Sequence, residues 1–381
     1  MKVLVTCVPA AGHVRPLLPL AEALLAQGDH VVFAAGEDPD GAVAGIGAEF
    51  APAGHGEMEW FEVFRSRVRG FPGDGLAPER IPYYFVPRLF ADIATVDMID
   101  DVLEVGKALQ PDVVLFETYA FAGPLAAALL GVPAVHHLIG LMLPPAVMEL
   151  ADDVLSPLWR SFGRDTPGYG GAYGDTTIEV APHALDPFRV PTGDVLALRP
   201  APLPLEDSRP GHAPLVYLTM GTFFGGNVDV FRAVIDGLAA ENLEVVVTVG
   251  AGGDPAALSP VPANTTVERF VPQAQLLPRC SAVVHHGGAG TMFGALAHGL
   301  PQVVIPQGAD NFTNGQALAD ASVGTIVTPK ELSPDRVRHD VRRVLGESSF
   351  AEAARGMAAD ISAMPAADVV AAALRQRVAG A

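Results

Sequence analysis

Short apolar segments alternate with longer segments in which apolar residues recur at helical spacing. Val3 to Val8, Val31 to Ala35 and Asp112 to Glu117 are of the first kind, which is typical of strands buried on both faces of a sheet. Pro16 to Ala26 carries leucines at helical spacing and is predicted to end as a helix near Gly28. Strands that alternate with helices predict an α/β fold with a doubly wound parallel sheet.

The alternation starts again after a proline-rich stretch, Pro191 to Pro214, which is the best candidate for an interdomain linker. Beyond it, strands are predicted at Leu215 to Met220, Glu244 to Val249 and Thr266 to Phe270. A chain of 381 residues is long for a single core. We therefore predict two Rossmann-like domains facing a cleft, residues 1–195 and 214–360, joined by a linker at 196–213, with the active site at the carboxyl ends of the strands.

Composition restricts the classes of partner that the chain can bind. It carries 24 basic and 43 acidic residues, a formal net charge of −19, which argues against nucleic acid or an anionic membrane. Cys7 and Cys280 lie far apart without a CxxC motif and predict two buried, reduced thiols. No apolar run reaches the roughly 20 residues that span a bilayer, and Gly12, His13 and Arg15 interrupt the segment near the N-terminus that resembles a signal peptide. We expect a cytoplasmic protein without stable membrane insertion.

The most informative stretch begins with the apolar run Ala282 to Val284. It leads into HHGGAGT at residues 285–291 and then into a helix-compatible segment, Met292 to His298. A strand, a glycine turn and a helix N-terminus together hold phosphate in α/β proteins, because backbone N–H groups and the helix dipole favour an anion. The next strand, Gln302 to Ile305, ends in a polar cluster, PQGADN at 306–311, suited to hydroxyl groups. A diphosphate site beside a hydroxyl site suggests a nucleotide sugar.

These motifs, with FVPQ at 270–273, resemble the donor-binding signature of family-1 glycosyltransferases of the GT-B fold. Gly12-His13-Val14-Arg15-Pro16 resembles the GHxxP motif of the same family, so the resemblance covers both ends of the chain. It is closest to the bacterial branch that glycosylates antibiotics and other natural products, including macrolides and enediynes. In that architecture the last helix, about Ala366 to Val378 within residues 361–381, crosses back to the first domain.

The resemblance implies a catalytic pair. His13 would act as the general base that removes the proton of an acceptor hydroxyl, although a histidine in a glycine-rich turn is more often a capping or packing residue. The family usually carries Asp at the end of the strand that reads VVLFE here, so Glu117 is the matching orienting partner, with a longer side chain. Asp112 begins the same strand at the amino-terminal end and is expected to have a structural, capping role.

The resemblance also implies a set of donor-binding residues. His286 corresponds to the diphosphate-binding histidine of the family, whereas His285 is expected to point into the sheet. Thr222 resembles a second diphosphate contact, although it also fits an ordinary strand-to-loop turn. Asp310 and Asn311 resemble the Asp-Gln pair that binds the hexose, and the shorter Asn suits a deoxygenated sugar. The rest of the phosphate cradle is implied to be Gly288, Gly290 and Thr291.

The nucleoside is expected to lie against residues 270–273. Phe270 stands where the family commonly has a Trp that stacks on the base, and a phenyl ring still stacks on a pyrimidine. The backbone of Val271 would contact the base edge, and Gln273 would position the nucleoside. Many relatives bind the ribose 2′-hydroxyl with a Glu eight residues after the diphosphate histidine, where this chain has Gly294. The missing acceptor favours a dTDP-sugar over a UDP-sugar.

Two aromatic- and methionine-containing regions, Glu57 to Ile99 and Leu138 to Ala172, fit an acceptor pocket or packing against the sheet. The residues predicted to bind an acceptor are Trp60, Phe64, Tyr84 and Met142. Asp38-Pro39-Asp40 fits a bare DxD metal motif, but three residues are weak support. GAG at 288–290 starts like GxGxxG, yet Phe293 fills the third glycine position. We expect no metal ion and no redox cofactor.

The sequence thus predicts an inverting, metal-independent hexosyltransferase. It would transfer a (deoxy)hexose from a dTDP donor to a hydroxyl of a hydrophobic natural-product aglycone, as a monomer or homodimer. One alternative is a nucleotide-sugar epimerase of the same fold, which would need no large apolar pocket. Another is a non-catalytic auxiliary protein that activates a partner glycosyltransferase, which would have no use for a base.

Overall fold

A computed structural model describes residues 1–67, 76–77, 80–186, 188, 190, 193–200, 213–221, 227–250 and 253–380. The chain forms two compact units. Unit 1 comprises Met1–Ala181, Phe188–Arg199 and Pro365–Ala381, and unit 2 comprises Pro182–Pro187 and Pro200–Met364. The predicted boundaries at residues 195, 213 and 360 stay a prediction, and most of the predicted linker, residues 201–212, lies outside the described residues.

The described part of unit 1 is built around a parallel sheet of seven strands in the order β3-β2-β1-β4-β5-β6-β7. Its central strands are continuous apolar runs because both faces are covered, and β4 is buried at every position. The strands are β1 Lys2–Thr6, β2 His30–Ala35, β3 Glu49–Pro52, β4 Val113–Glu117, β5 Ala134–His137, β6 Thr176–Glu179 and β7 Asp194–Ala197.

The helices of unit 1 connect these strands, and a π-helical segment, Val86–Ala94, joins two of them. The C-terminal helix, α15, packs against α2, and its Arg375 forms an ion pair with Asp29 at 2.8 Å. The helices are α1 Ala11–Val14, α2 Leu18–Ala26, α3 Ala42–Gly45, α4 Glu57–Arg67, α5 Ile81–Phe85, α6 Thr95–Leu109, α7 Ala122–Leu130, α8 Pro145–Ser161 and α15 Ala367–Gly380.

Unit 2 repeats the arrangement with six parallel strands among its described residues, in the order β10-β9-β8-β11-β12-β13. The strands are β8 Leu215–Thr219, β9 Glu244–Thr248, β10 Thr265–Glu268, β11 Ala282–His285, β12 Gln302–Val304 and β13 Gly324–Ile326. The helices are α9 Val228–Leu238, α10 Gln273–Leu276, α11 Ala289–Ala297, α12 Asn311–Asp320, α13 Pro334–Gly346 and α14 Ser348–Ala363.

Both sheets confirm the predicted fold class, two doubly wound parallel-sheet domains. In each sheet the strand order reverses once, between β1 and β4 in unit 1 and between β8 and β11 in unit 2. Ligands of open α/β sheets bind at the carboxyl ends of the strands at such a reversal. The fold therefore points to the loops that follow β1, β4, β8 and β11.

Helices that could cross a membrane were sought in the described ranges. No single one is long and apolar enough, and only α14 and α15 taken together across a break reach the required length.

Candidate active site

The first site lies where β1 and β4 end side by side. After β1 the chain turns into α1, which carries His13, and β4 closes with Glu117. The Nδ1 atom of His13 lies 3.2 Å from Oε1 of Glu117, whose side chain is completely buried. The Glu117 carboxylate is fixed at both oxygens, because Oε1 accepts the N–H of Val8 at 3.1 Å and Oε2 accepts the N–H of Tyr119 at 2.9 Å.

This arrangement orients the imidazole. A buried carboxylate at Nδ1 favours the tautomer that carries its proton on Nδ1, and in that tautomer Nε2 carries the lone pair of the ring. The longer side chain of Glu, compared with the Asp usual in the family, is accommodated because the backbone amides of Val8 and Tyr119 hold its end. The His13 ring lies against Tyr119 at a centroid distance of 5.1 Å and against Phe90 at 6.0 Å, and its side chain is 20% exposed.

A small cavity of about 30 Å³ opens beside His13. We call it the His13 cavity, and its lining residues are Val8, His13, Glu57, Trp60, Phe61, Leu89 and Phe90. Trp60 is the one residue among the four predicted acceptor contacts that lines this cavity. The position of its ring is fixed because its Nε1–H donates to Oδ2 of Asp97 at 2.7 Å.

The other predicted acceptor residues are packed inside unit 1. Phe64 is buried, stacks on Phe85 at 5.2 Å and meets the edge of Tyr84 at 6.3 Å. The guanidinium of Arg88 lies over the ring of Tyr84, 4.3 Å from its centroid. Met142 is 2% exposed, in the segment between β5 and α8. Phe64 and Met142 are therefore buried within unit 1, and their role in binding an acceptor stays a prediction.

The acidic residues considered in the sequence have local structural partners. Asp112 accepts the N–H of Lys2 at 2.7 Å and so ties β4 to β1 at their amino ends, in the capping role expected for it. Asp38 accepts the N–H groups of Val43 and Ala44 at the start of α3. Asp40 pairs with the guanidinium of Arg15. In the part of the chain that the structure describes, no three His, Cys, Asp or Glu side chains group as a metal site.

The second site lies in unit 2, where β11 passes through a glycine turn into α11. Gly287 has a φ of +100°, and a Cβ there would lie 2.7 Å from the carbonyl oxygen of Asn311. The imidazole of His286 is held between two glycines: a Cβ at Gly221 would lie 2.5 Å from its Cε1, and one at Gly288 would overlap its Nε2. Only glycine lets the backbone come this close to the ring.

The two adjacent histidines differ in role. His285 is fully buried, its Nδ1 accepts the N–H of Gly287 at 3.1 Å, and its Nε2–H therefore donates to Oε1 of Gln302 at 2.7 Å. It points into the sheet as expected. Burial lowers the pKa of His286 to about 4. At neutral pH the His286 imidazole is therefore uncharged in this structure, and its role in binding a diphosphate stays a prediction.

The start of α11 is the open part of the loop. Its cap residue, Gly288, supplies no side-chain hydrogen bond, and Gly290 is exposed with no heavy atom within 4 Å of the place a Cβ would take. Helix N–H groups that lack partners and point toward open space attract anions. The hydroxyl of Thr291 accepts Nε2–H of Gln273 at 3.1 Å, so these two predicted contacts support each other. Thr222 lies outside the described residues.

Phe270 is 72% exposed in the loop after β10, whereas Val271 is half-buried against the neighbouring apolar core. A large exposed aromatic ring after a parallel strand is available for stacking on a planar ligand.

The polar cluster after β12 is internally bonded. Asn311 is 3% exposed, its Oδ1 accepts the N–H groups of Gln307 and Gly308, and its Nδ2–H donates to Asp310 at 3.3 Å. Asn314, which the sequence analysis did not single out, donates to Asp310 at 2.9 Å and to the carbonyl of Gly287 at 2.8 Å. Its spacing of four residues from Asp310 in a helix was the available signal. In this structure Asn311 holds the loop, and Asp310 is the half-buried carboxylate at its edge.

We expect the buried histidines to make the protein sensitive to mild acid. Burial lowers the pKa of His136 to about 3, of His137 to about 4 and of His285 to about 3. In the unfolded chain these three histidines bind protons below about pH 6.5, whereas in the folded protein they bind them only below about pH 4. Stability present above pH 6.5 is therefore lost as the pH falls toward 4, by about 2 kcal/mol per histidine between pH 7 and 5.

Chemical denaturation at pH 7 and pH 5 measures this loss. His136 stacks on Phe116, and its ring nitrogens have no hydrogen-bond partner among the described residues. The His136→Leu variant should therefore lose about 2 kcal/mol less than the wild type over the same range. His339→Gln, at an exposed position of α13, should behave like the wild type. Equal pH dependence in all three proteins would contradict the assignment.

Comparison with known proteins identifies the family. Residues 232–376 match the family described as erythromycin biosynthesis protein CIII-like, C-terminal domain. The chain is 30% identical to 10-deoxymethynolide desosaminyltransferase of Streptomyces venezuelae, over 93% of this chain and 92% of that protein. It is 31% identical to L-demethylnoviosyl transferase of Streptomyces niveus, over 97% of each chain.

The solved structures agree. The glycosyltransferase SsfS6 of Streptomyces sp. SF2575, complexed with thymidine diphosphate, superimposes with a TM-score of 0.79 at 27% identity and covers 99% of each chain. Sequence and fold match these enzymes over nearly the full length. The chain therefore belongs to the bacterial natural-product glycosyltransferases of the GT-B fold.

Proposed function

We propose that the protein transfers a hexose, deoxygenated at one or more positions, from a dTDP-sugar to a hydroxyl of a hydrophobic natural product, with inversion at the anomeric carbon. The observation that carries the proposal is the His13 imidazole held at 3.2 Å by the buried Glu117 carboxylate. A buried carboxylate with both oxygens anchored is built to orient a base and to stabilise the imidazolium that forms.

The chemistry follows from this pair. The acceptor oxygen attacks the anomeric carbon as Nε2 of His13 takes its proton, and the carbon–oxygen bond to the diphosphate breaks with its electrons passing to dTDP. Attack opposite the leaving group inverts the configuration. The Glu117 carboxylate would stabilise the positive charge that forms on His13, so one direct displacement completes the transfer.

The donor is proposed to bind unit 2 without a metal ion. The N–H groups at the start of α11 and the neutral His286 would bind the diphosphate, and the helix dipole would stabilise its charge. Asp310 is proposed to accept a hydrogen bond from a hexose hydroxyl. Asn311 would affect sugar binding indirectly, because it fixes the loop that carries Asp310.

Gly294 supports a thymidine donor. A Cβ at this position in α11 would lie 3.2 Å from Cδ1 of Leu277 and 3.5 Å from Oε1 of Gln273, so the glycine lies next to one of the residues proposed to position the nucleoside. No carboxylate is then supplied here for a ribose 2′-hydroxyl. The thymidine diphosphate bound to SsfS6 favours the same nucleotide.

The test is calorimetric titration with dTDP and UDP in the presence of a metal chelator. We expect dTDP to bind at least tenfold more tightly than UDP. Equal affinities would overturn the thymidine assignment, and binding that requires a divalent metal ion would overturn the metal-free donor site. Binding of neither nucleotide would overturn the proposed function.

The Phe270→Ala variant tests the base-stacking assignment. Stacking of a base on an aromatic ring contributes about 1–3 kcal/mol, so we expect the Kd for dTDP to rise roughly 5- to 100-fold. Because Phe270 is 72% exposed, its removal should leave the melting temperature of the unliganded protein unchanged. Phe270→Trp is the matched control and should keep or improve the affinity. An unchanged Kd in Phe270→Ala would rule out stacking at this ring.

A further inference from the structure

Glu57 shares the His13 cavity with the catalytic pair. It lies in the first turn of α4 and is half-buried, and its side chain lines the cavity together with His13 and Trp60. Of the residues that line this space, His13 and Glu57 are the two that titrate near neutral or acidic pH, and the others named are apolar or aromatic. Apart from the His13 imidazole, the Glu57 carboxylate therefore faces apolar and aromatic side chains in the His13 cavity.

Glu57 differs from the neighbouring carboxylates in its lack of partners. Asp97 accepts hydrogen bonds from Trp60 and from both the backbone and the ring of His55. By contrast, no described residue donates a hydrogen bond to the Glu57 carboxylate oxygens. Burial raises the pKa of Glu57, and Glu37 adds to the rise, while His13 acts in the opposite direction.

A desolvated carboxylate without a donor is unfavourable, and a ligand that supplies an N–H or O–H group removes that cost. The cavity measures about 30 Å³, which is room for one or two water-sized groups. It is too small for an aglycone and matches one small substituent of it. Three properties limit what can bind in the His13 cavity: the charge of Glu57, the lack of a hydrogen-bond donor to it among the described residues, and the small volume of the cavity.

We propose that Glu57 determines acceptor specificity by accepting a hydrogen bond from a small donor substituent, a hydroxyl or an amine, next to the hydroxyl that is glycosylated. This inference rests on the proposed function, because it places the acceptor at His13. Glu57 is an acceptor-binding residue and not a second base, since it lacks the backbone anchors that fix Glu117. An acceptor with a donor group beside its reacting hydroxyl should be preferred over one without it.

Three aromatic probes test this proposal by calorimetry: 2-naphthol, naphthalene-2,3-diol and 3-amino-2-naphthol. We expect the wild type to bind the diol, the aminonaphthol or both about tenfold more tightly than 2-naphthol, in the range of a hydrogen bond to a charged group. The ratio between diol and aminonaphthol tells whether hydroxyl or amine is the better donor. Glu57→Ala should bind all three probes equally.

Two further variants make the result specific. Glu57→Gln keeps an acceptor oxygen and the side-chain size, and should retain part of the preference. Glu62→Gln changes an exposed carboxylate on the same helix and should keep the full preference. Equal affinities for the three probes in the wild type, binding of none of them, or an unchanged preference in Glu57→Ala would overturn the proposal.

Titration with dTDP tests the proposed function independently of the role of Glu57. Every variant at position 57 should bind dTDP like the wild type, because the donor residues belong to unit 2. Failure of the probe series with normal dTDP binding would overturn the role of Glu57 alone. Failure of dTDP binding in the wild type would overturn the proposed function.

Discussion

Replacing His13 by alanine is expected to lower kcat for sugar transfer by about 10²- to 10⁴-fold, the range that a positioned general base contributes. The variant removes the imidazole that lies 3.2 Å from the buried Glu117 carboxylate. Because His13 belongs to unit 1, the Kd for dTDP should stay within twofold of the wild-type value. Steady-state transfer rates and calorimetric titration of the same preparations measure both effects.

The matched control for this experiment is His30→Ala. His30 is an exposed histidine of the same unit that pairs with Glu49, so its loss should leave kcat unchanged. The His13→Ala result also separates the enzyme from the alternative of a non-catalytic auxiliary protein. A non-catalytic auxiliary protein would keep its function without the base. An unchanged rate, or loss of dTDP binding together with activity, would contradict the role given to His13.

Gly288→Ala is expected to disable donor binding. The new methyl group would overlap Nε2 of His286. The ring cannot shift straight back, because Gly221 lies against its other side, so it must rotate. The imidazole must therefore turn away from the start of α11, where the diphosphate is proposed to bind. We expect at least a tenfold rise in the Kd for dTDP and a loss of about 1–3 kcal/mol in unfolding free energy from overpacking.

Calorimetry with dTDP and denaturant unfolding measure these two quantities. Gly346→Ala, at the end of α13 with open space around the new methyl group, is the control in the same unit and should change neither. Normal dTDP binding in Gly288→Ala would show that the His286 ring position is unrelated to donor recognition.

The fold and the donor loop were the most predictable features. Buried parallel strands are short apolar runs, and the turn after β11 contains glycines because backbone and ring approach each other too closely for a Cβ. Glu117 was predicted from the family resemblance, because relatives usually carry Asp at the end of this strand, and the structure places it 3.2 Å from His13. These features leave local signals in the sequence, since each depends on residues within one strand and the turn that follows it.

Other features depend on contacts that a linear pattern does not reveal. Asn311 was predicted to bind the hexose, which stays a prediction, and the sequence did not reveal that its Oδ1 accepts the N–H groups of Gln307 and Gly308 in its own loop. Among the aromatic residues near position 60, nothing in the spacing separates Trp60, which lines the His13 cavity, from Phe64, which packs on Phe85. The position of Glu57 beside His13, where none of the described residues donates a hydrogen bond to its carboxylate, becomes visible only in the three-dimensional structure.

The segment from α4 to Ala94 enters unit 1 between β3 and α6, and its described residues contribute no strand to the sheet. The base and its carboxylate, by contrast, are fixed by β1, β4 and the amides next to them. The strands and amides that hold His13 and Glu117 are therefore separate from this segment, but its side chains Glu57 and Phe90 line the cavity beside the base. For engineering of acceptor choice, we expect single substitutions in this segment, starting at residue 57, to be safer than grafting the whole segment, because a graft would also replace the surroundings of His13.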